Sequence, residues 1–291
     1  MEEQYGGAWD NPSSRDFMAE HLLGVGEVEI PESFSLLNTK PKNQGQTMKC
    51  TAYGLTLIDE ILNRQEHGEV LLDANEQWDN QLATGASVTL GDSLQHALNV
   101  LKDEGLKDKY NKTKDGLFRI EGYARVGKDM NEWKKWIAQG YPIYTGGIYT
   151  KTNFENAKKT GYWTGADNPR ISGHAFACTG YDGDTFEFTN SYGEAWGFFK
   201  NGTFKVDPSH FNELYSGYII YDEKDVKMIF KDVSENSPFA KEIKWALGLG
   251  IAKGYNNENE PLAINRYLKP DQPLTRAENI VMLYNLYNKL K

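Results

Sequence analysis

The order of the periodic segments predicts an α+β fold, with helices first, antiparallel strands after, and a small helical module at the C-terminus. Three observations carry this. Apolar residues recur at helical spacing between residues 50 and 138. Period-two alternation and turn dipeptides take over from Tyr141 to Tyr221. A charged stretch, Asp222-Glu223-Lys224-Asp225, then precedes a return to helical patterning.

Residues 1–29 are polar and read as an extension, partly helical at best around Phe17 to Leu23. Pro31 opens an extended segment that runs to Pro41, and Gly45 lies in a polar loop before Cys50. Leu55, Ile58 and Leu62 place one apolar face on a helix over Cys50 to Arg64. Ser93 to Asp103 is a second helix, ended by Gly105. Met130 to Ala138 is a third, stopping at Gly140, with Trp133 and Trp136 as packing residues. His174 to Thr179 and Thr185 to Asn190 read as two strands joined by a turn at Asp182-Gly183. Phe199 to Val206 and Tyr218 to Tyr221 are further strands, with Asn201-Gly202 as another turn. Beyond residue 225, helices over 238–253 and 273–291 flank an Asn- and Glu-rich loop.

The net charge of −9 argues against nucleic acid as a partner. That charge is uneven: residues 231–291 carry +2 and the remainder −11, so an anionic partner suits the tail alone. No stretch has the length of a membrane helix. Met1 to Tyr5 lacks the basic start and apolar run of a signal peptide, so ordinary secretion is not expected. Cys50 and Cys178 are the two cysteines, too few for a disulfide scaffold and without zinc-ligand spacing. His21, His67, His96 and His210 do not cluster and read as surface or packing residues. Neither a metal nor a cofactor is expected.

Four residues together suit thiol chemistry. Cys50 opens a helix, whose N-terminal partial charge lowers a thiol pKa. His174 can shuttle the proton, and Asn190 can orient the imidazole through its side-chain carbonyl. Gln44 can present an amide N–H to a developing oxyanion beside the Cys50 backbone N–H. A symmetric hairpin about Asp182-Gly183 would bring His174 and Asn190 level across the strand pair. Cys178 lies four residues from His174 on the same face, about 13 Å along a strand. It reads as an apolar strand residue too far away to bridge easily to a Cys50 held at that histidine.

These segments resemble the papain-like cysteine peptidases. Asn43-Gln44-Gly45-Gln46-Thr47-Met48-Lys49-Cys50-Thr51-Ala52-Tyr53 is similar to the family's nucleophile segment. Ser172 to Tyr181 is similar to its histidine strand, and Asn190-Ser191-Tyr192-Gly193-Glu194-Ala195-Trp196-Gly197 to its asparagine segment. His174 and Asn190 follow Cys50 by 124 and 140 residues, against roughly 130–150 in that family. Ile30-Pro31-Glu32-Ser33 resembles the start of a mature enzyme, and Leu90 to Leu94 with Ala97-Leu98 the cleft segment of bacterial members. The resemblance implies a two-lobed fold over residues 30–225, a helical lobe beside an antiparallel, barrel-like sheet lobe, with Trp196 shielding the histidine. It also implies peptide-bond hydrolysis of a protein or peptide by Cys50, His174, Asn190 and Gln44. The chain departs from the family at Thr47, Thr51, Gly173 and Tyr192, where a cysteine, a tryptophan, an Asn or Asp, and a tryptophan are usual. About thirty residues precede the mature-like start, fewer than in the family's inhibitory propeptides.

Residues 226–291 resemble a single S-layer homology repeat, on Phe230-Lys231-Asp232-Val233, Ile243-Lys244-Trp245-Ala246 and Thr275-Arg276-Ala277-Glu278. Thr275 and Glu278 also suit a capping box. The resemblance implies binding of secondary cell-wall polysaccharide, with Asp232, Trp245 and Arg276 as glycan contacts. Such repeats act in threes, so one repeat per chain implies a homotrimer. The combined expectation is a cysteine endopeptidase held at a bacterial cell wall, delivered from outside as on a phage particle. The alternatives are an inactive scaffold serving adhesion and a peptidase of peptidoglycan cross-bridges.

Overall fold

The computed structural model describes residues 7–13, 16–23, 28–110, 117–165 and 172–222, and beyond them Ile243, Tyr255–Asn256 and Arg266–Tyr267. In chain order the body runs β1 (Ala8–Trp9), α1 (Ala19–Leu22), β2 (Ser33–Ser35), α2 (Cys50–His67), α3 (Ala74–Thr84), β3 (Asp92–Ser93), α4 (Leu94–Glu104), β4 (Leu106–Lys107) and β5 (Leu117–Phe118). It continues with β6 (Gly122–Val126), α5 (Met130–Ala138), β7 (Ile143–Tyr149), α6 (Lys151–Thr160), β8 (Ser172–Asp182), β9 (Thr185–Thr189), β10 (Thr203–Val206), a 3₁₀ turn at Pro208–Glu213 and β11 (Gly217–Tyr221).

The helical part and the sheet part meet along α2. This helix is buried on every side from Cys50 to Ile61, so its first three turns form the centre of the molecule and not the amphipathic surface helix its spacing suggests. Two carboxylates are buried with it. Glu60 takes the Lys42 ammonium at 2.7 Å and the Leu72 N–H at 3.0 Å, so its charge is paired. Asp59 receives Asn63 Nδ2 on one oxygen only, and burial pushes its carboxyl up to about 7.

The main sheet has seven strands in the order β10-β9-β8-β7-β11-β6, with β2 paired to the outer part of β8. All of its pairings are antiparallel. Among the described residues the path stays open and does not close into a barrel. β8 is its centre: all but its first and last residues are buried, as a strand covered on both faces requires. The β8–β9 turn differs from the symmetric expectation. Asp182 pairs with Thr185, so the two loop residues are Gly183 and Asp184, with Gly183 at φ +57 where a side chain would be strained. A bulge between Cys178 and Gly180 adds a further register shift. The ladder ends at Ala177 opposite Thr189, so Asn190 comes two residues short of level with His174 and reaches it diagonally.

Two helices escape the apolar pattern. α3 buries Gln77 and Gln81 beside Trp78, so polar residues occupy its inner face. α6 has few apolar residues but carries a full capping box, Thr150 with Asn153, and ends at left-handed Gly161. The strand expected over Phe199 to Val206 begins only at Thr203, after a turn in which Lys200 takes φ +56. In the C-terminal region the helices expected over 238–253 and 273–291 lie outside the described residues apart from Ile243, which is helical. Within the expected loop, Tyr255–Asn256 pairs antiparallel with Arg266–Tyr267.

Candidate active site

Cys50 is the first residue of α2, and the helix has no side-chain cap ahead of it. Its sulfur receives the backbone N–H of Ala175 on β8, which sets the thiol against the strand that carries His174. His174 Nε2 lies 2.7 Å from Asn190 Oδ1. An amide oxygen only accepts, so the proton sits on Nε2 and Nδ1 presents its lone pair. Nδ1 is buried and has no hydrogen-bond partner among the described residues. Asn190 Oδ1 is itself fixed by the Ser191 N–H at 2.8 Å.

The imidazole lies between two aromatic rings. Tyr192 stacks at 5.3 Å and 15°, and Trp163 at 6.4 Å and 21°. Tyr149 and Phe176 meet it edge-on. The shielding expected of Trp196 is therefore indirect: it packs on Tyr192 and Phe154 and not on the imidazole. Trp163 was not foreseen. It stands alone between α6 and the next strand, and only the tertiary fold carries it to β8.

Gln44 ties the nucleophile loop to the asparagine loop. Its N–H donates to Ser191 O at 2.8 Å, its Oε1 accepts from the Ser191 hydroxyl, and its Nε2 donates to Thr47 O at 2.6 Å. One of the two amide hydrogens is thus committed to the loop. Thr47 adds a bond from its hydroxyl to Gln44 O at 2.7 Å. Thr51 is wholly buried, and its hydroxyl accepts from Gln81 Nε2 at 3.0 Å. Two other expectations change here. His96 is no isolated surface residue: its Nδ1 lies 2.8 Å from Asp92, whose buried carboxylate also receives Gln81. Cys50 and Cys178 are both buried free thiols.

A peptide strap covers the site. Gly7 O accepts from the Asp92 N–H at 3.2 Å, and β1 pairs in parallel with β3. A Cβ added at Gly173, next to His174, would come within 1.7 Å of Ala8 O. One at Gly91, where φ is +86, would meet Gly7 O at 2.0 Å. The glycine that replaces the usual Asn or Asp before the histidine is what admits this strap. Cys50 and His174 are both 0% exposed. Loss of water disfavours both charged forms. Burial pushes the Cys50 thiol up to about 12, outweighing the helix terminus, and the His174 imidazole down to about 4, outweighing Asn190. In this closed arrangement thiol and imidazole are neutral, the reverse of the lowered thiol expected from the helix start.

Among solved structures, the chain is similar to xylellain, a cysteine protease from Xylella fastidiosa, at 17% identity and a TM-score of 0.65, over 76% of this chain and 97% of that one. It is similar to procathepsin B S9 from Trypanosoma congolense at 16% identity and 0.60, over 76% and 87%. The proform of the ragweed pollen allergen Amb a 11, a cysteine protease, gives 19% and 0.56, over 68% and 67%. These likenesses establish a papain-like fold. Residues 229–278 match the S-layer homology domain. No curated protein matches the sequence. Among the described residues no helix is long and apolar enough to cross a membrane, and no group of three His, Cys, Asp or Glu side chains could hold a metal ion.

Proposed function

We propose that this chain is a cysteine peptidase in which Cys50 is the nucleophile, held at a bacterial cell wall by residues 226–291. The observation that carries the reading is the His174–Asn190 bond. It leaves the lone pair of Nδ1 without a hydrogen-bond partner among the described residues, on the strand residue next to Ala175, whose backbone N–H reaches the Cys50 sulfur. With water and substrate admitted, Nδ1 takes the thiol proton, and the thiolate attacks the scissile carbonyl to give a tetrahedral adduct. The backbone N–H of Cys50 and the second hydrogen of Gln44 Nε2 stabilise its oxyanion. The imidazolium then protonates the leaving amine; water, deprotonated by the same imidazole, attacks the thioester, the C–S bond breaks to free the acid product, and the Cys50 sulfur takes the proton back. Asn190 keeps the ring in the tautomer and orientation these steps need, without exchanging a proton itself.

The wall-binding half of the reading rests on the S-layer homology match. Asp232, Trp245 and Arg276 are its glycan contacts, because an indole face stacks on a sugar ring and a guanidinium pairs with an anionic substituent. A single repeat completes its binding face by trimerising, and light scattering that finds a stable monomer at micromolar concentration would remove that element. Residues 1–29, 30–225 and 226–291 are the proposed units, and delivery on a phage particle is the proposed route to the wall.

Mass spectrometry after brief exposure to an epoxysuccinyl cysteine-peptidase inhibitor tests the chemistry. One adduct on Cys50, absent from Cys50→Ala, is the expected result once the strap is loosened. The complete burial of Cys50 and His174 favours one rival, an inactive scaffold that serves adhesion. That rival gains first place if Cys50 stays unmodified and reduced with the cleft open.

A further inference from the structure

Asp10, two residues beyond the point where the strap meets Gly173, sits in a site built from both halves of the fold. Its Oδ1 accepts from the Tyr218 hydroxyl at 2.9 Å and from Gln95 Nε2 at 2.9 Å, and its Oδ2 accepts from the Ser216 N–H at 2.8 Å. Gln95 belongs to α4 in the helical part, while Ser216 and Tyr218 belong to the sheet part. Gln95 Nε2 also contacts the Tyr218 oxygen, and Gln95 Oε1 takes the Asn11 N–H at 3.2 Å. All three groups facing the carboxylate are donors. Burial and the charge of Asp10 hold the Tyr218 phenol well above its usual range, so it stays protonated and able to donate. Lys128, anchored on Asn212 O at 2.8 Å and Leu214 O at 2.7 Å, lies within the field of the Asp10 charge.

The rest of the strap shows what else the cleft accepts. A Cβ on Gly7 would meet Leu90 O at 2.0 Å, so the backbone alone fits there. Ala8 is buried, whereas Trp9 is 37% exposed. Two residues of chain span roughly 7 Å at most. The backbone of Asp10 therefore lies within that reach of Ala8, which abuts the residue beside His174, and the carboxylate extends one short side chain further.

We propose that Tyr218, Gln95 and the Ser216 N–H form a carboxylate-recognising subsite of the peptidase cleft, occupied by Asp10 in the resting chain. Its ligand is a peptide with small residues, Gly or Ala, against Gly91 and Gly173 and a carboxylate two residues further along. This rests on the reading of Cys50 as the nucleophile of that cleft. The carboxylate can come from an acidic side chain or from a peptide C-terminus, since the three donors address oxygen atoms alone. Either source is replaced by Asp10 when no ligand is bound.

The test uses the full-length chain carrying Asp10→Ala and fluorescence anisotropy of dye-labelled peptides. Gly-Gly-Ala-Trp-Asp-Asn-Pro-Ser with an amidated end is expected to bind at least tenfold more tightly than the same peptide with Asn in place of Asp. The unsubstituted chain, its subsite filled, is expected to bind at least tenfold more weakly than Asp10→Ala. Adding Tyr218→Phe or, independently, Gln95→Leu should shrink the preference for Asp several-fold. Gly-Gly-Ala-Trp-Gly with a free C-terminus adds the terminal carboxylate to the ligand class if it binds like the Asp peptide, and confines the class to side chains if it binds like the Asn peptide. Equal binding of the Asp and Asn peptides, or a preference unchanged by both substitutions, overturns the subsite. Iodoacetamide labelling of the same Asp10→Ala chain separates the two claims. If Cys50 reacts no faster than Cys178 while the Asp preference holds, the peptidase reading falls and the carboxylate site stands.

Discussion

The two halves of the candidate site hold Cys50 and His174 by different means. On the helical side, Cys50 owes its position to the start of α2 and to one N–H from Ala175. On the sheet side, His174 is fixed by the Asn190 bond and by Tyr192 and Trp163 on opposite faces of the ring. A small thiol has one torsion to set, whereas an imidazole must be fixed in rotation, tilt and tautomer. The sheet side therefore spends several buried residues on one ring. Substitution on the helical side should remove chemistry and leave the fold, while substitution on the sheet side should touch both.

The sharpest break is Cys50→Ala, made in the Asp10→Ala background where the strap is loosened. Peptide hydrolysis should fall by about 10³-fold or more. The unfolding free energy should shift by less than about 1.5 kcal/mol, as read by urea titration. Asn190→Ala comes next, with kcat reduced by roughly 10²-fold as the ring loses its orienting partner. It should also destabilise by about 1–3 kcal/mol, because Nε2 is left buried without an acceptor. Trp163→Ala acts mainly on the fold, costing about 3–5 kcal/mol. A Trp163→Ala chain that is as stable as its parent would show that the ring is not what holds the imidazole.

Smaller and pH-dependent effects sharpen the contrast further. His174 is depressed from about 6.5 to about 4 in the folded chain. Its contribution is therefore present above pH 6.5 and lost as pH falls towards 4, a change of about 3 kcal/mol. Asp59, in α2 on the other side, is raised from 3.8 to about 7. The folded state favours its protonated form, so its penalty grows as pH rises from 3.8 towards 7. Asp59→Asn should then raise Tm at pH 8 and lose that advantage by pH 4, whereas His174→Gln should flatten the fall between pH 6.5 and 4. Thermal denaturation at four pH values reads both. An Asp59→Asn chain with the same advantage at pH 4 as at pH 8 would mean that repacking, not charge, explains it.

What was legible in the sequence follows the same division. α4 and α5 show in the spacing of Leu94, Ala97, Leu98 and Leu101 and of Trp133, Trp136 and Ile137, because each buries one apolar stripe. Cys50, His174, Asn190 and Gln44 stood out through motif order, and the fold draws the segments that carry them together. Three features were hidden. α3 turns Gln77 and Gln81 inward, where Ala97 O and Asp92 take their amides, so no apolar stripe marks it. Trp163 has no local pattern to announce it. The burial that keeps the thiol and imidazole neutral comes from the packed fold, and the passage of residues 7–10 beside Gly91 and Gly173 is a contact no local reading contains. The Asp73 and Thr150 caps were signals present and unused, and either would have placed its helix.

The position of β11 has a consequence for how this molecule comes into being. It is the last strand of the body, yet it lies inside the sheet, hydrogen-bonded to β6 along five residue pairs and to β7 at Tyr218. During synthesis β6 and β7 emerge early and must wait for residues 217–221 before their shared interior closes. Ser216 and Tyr218, the two sheet-side donors to Asp10, arrive at that same point of the chain. A nascent or truncated chain therefore lacks a finished sheet however much of its length has folded, and any activity of the site must wait for the last strand of the body.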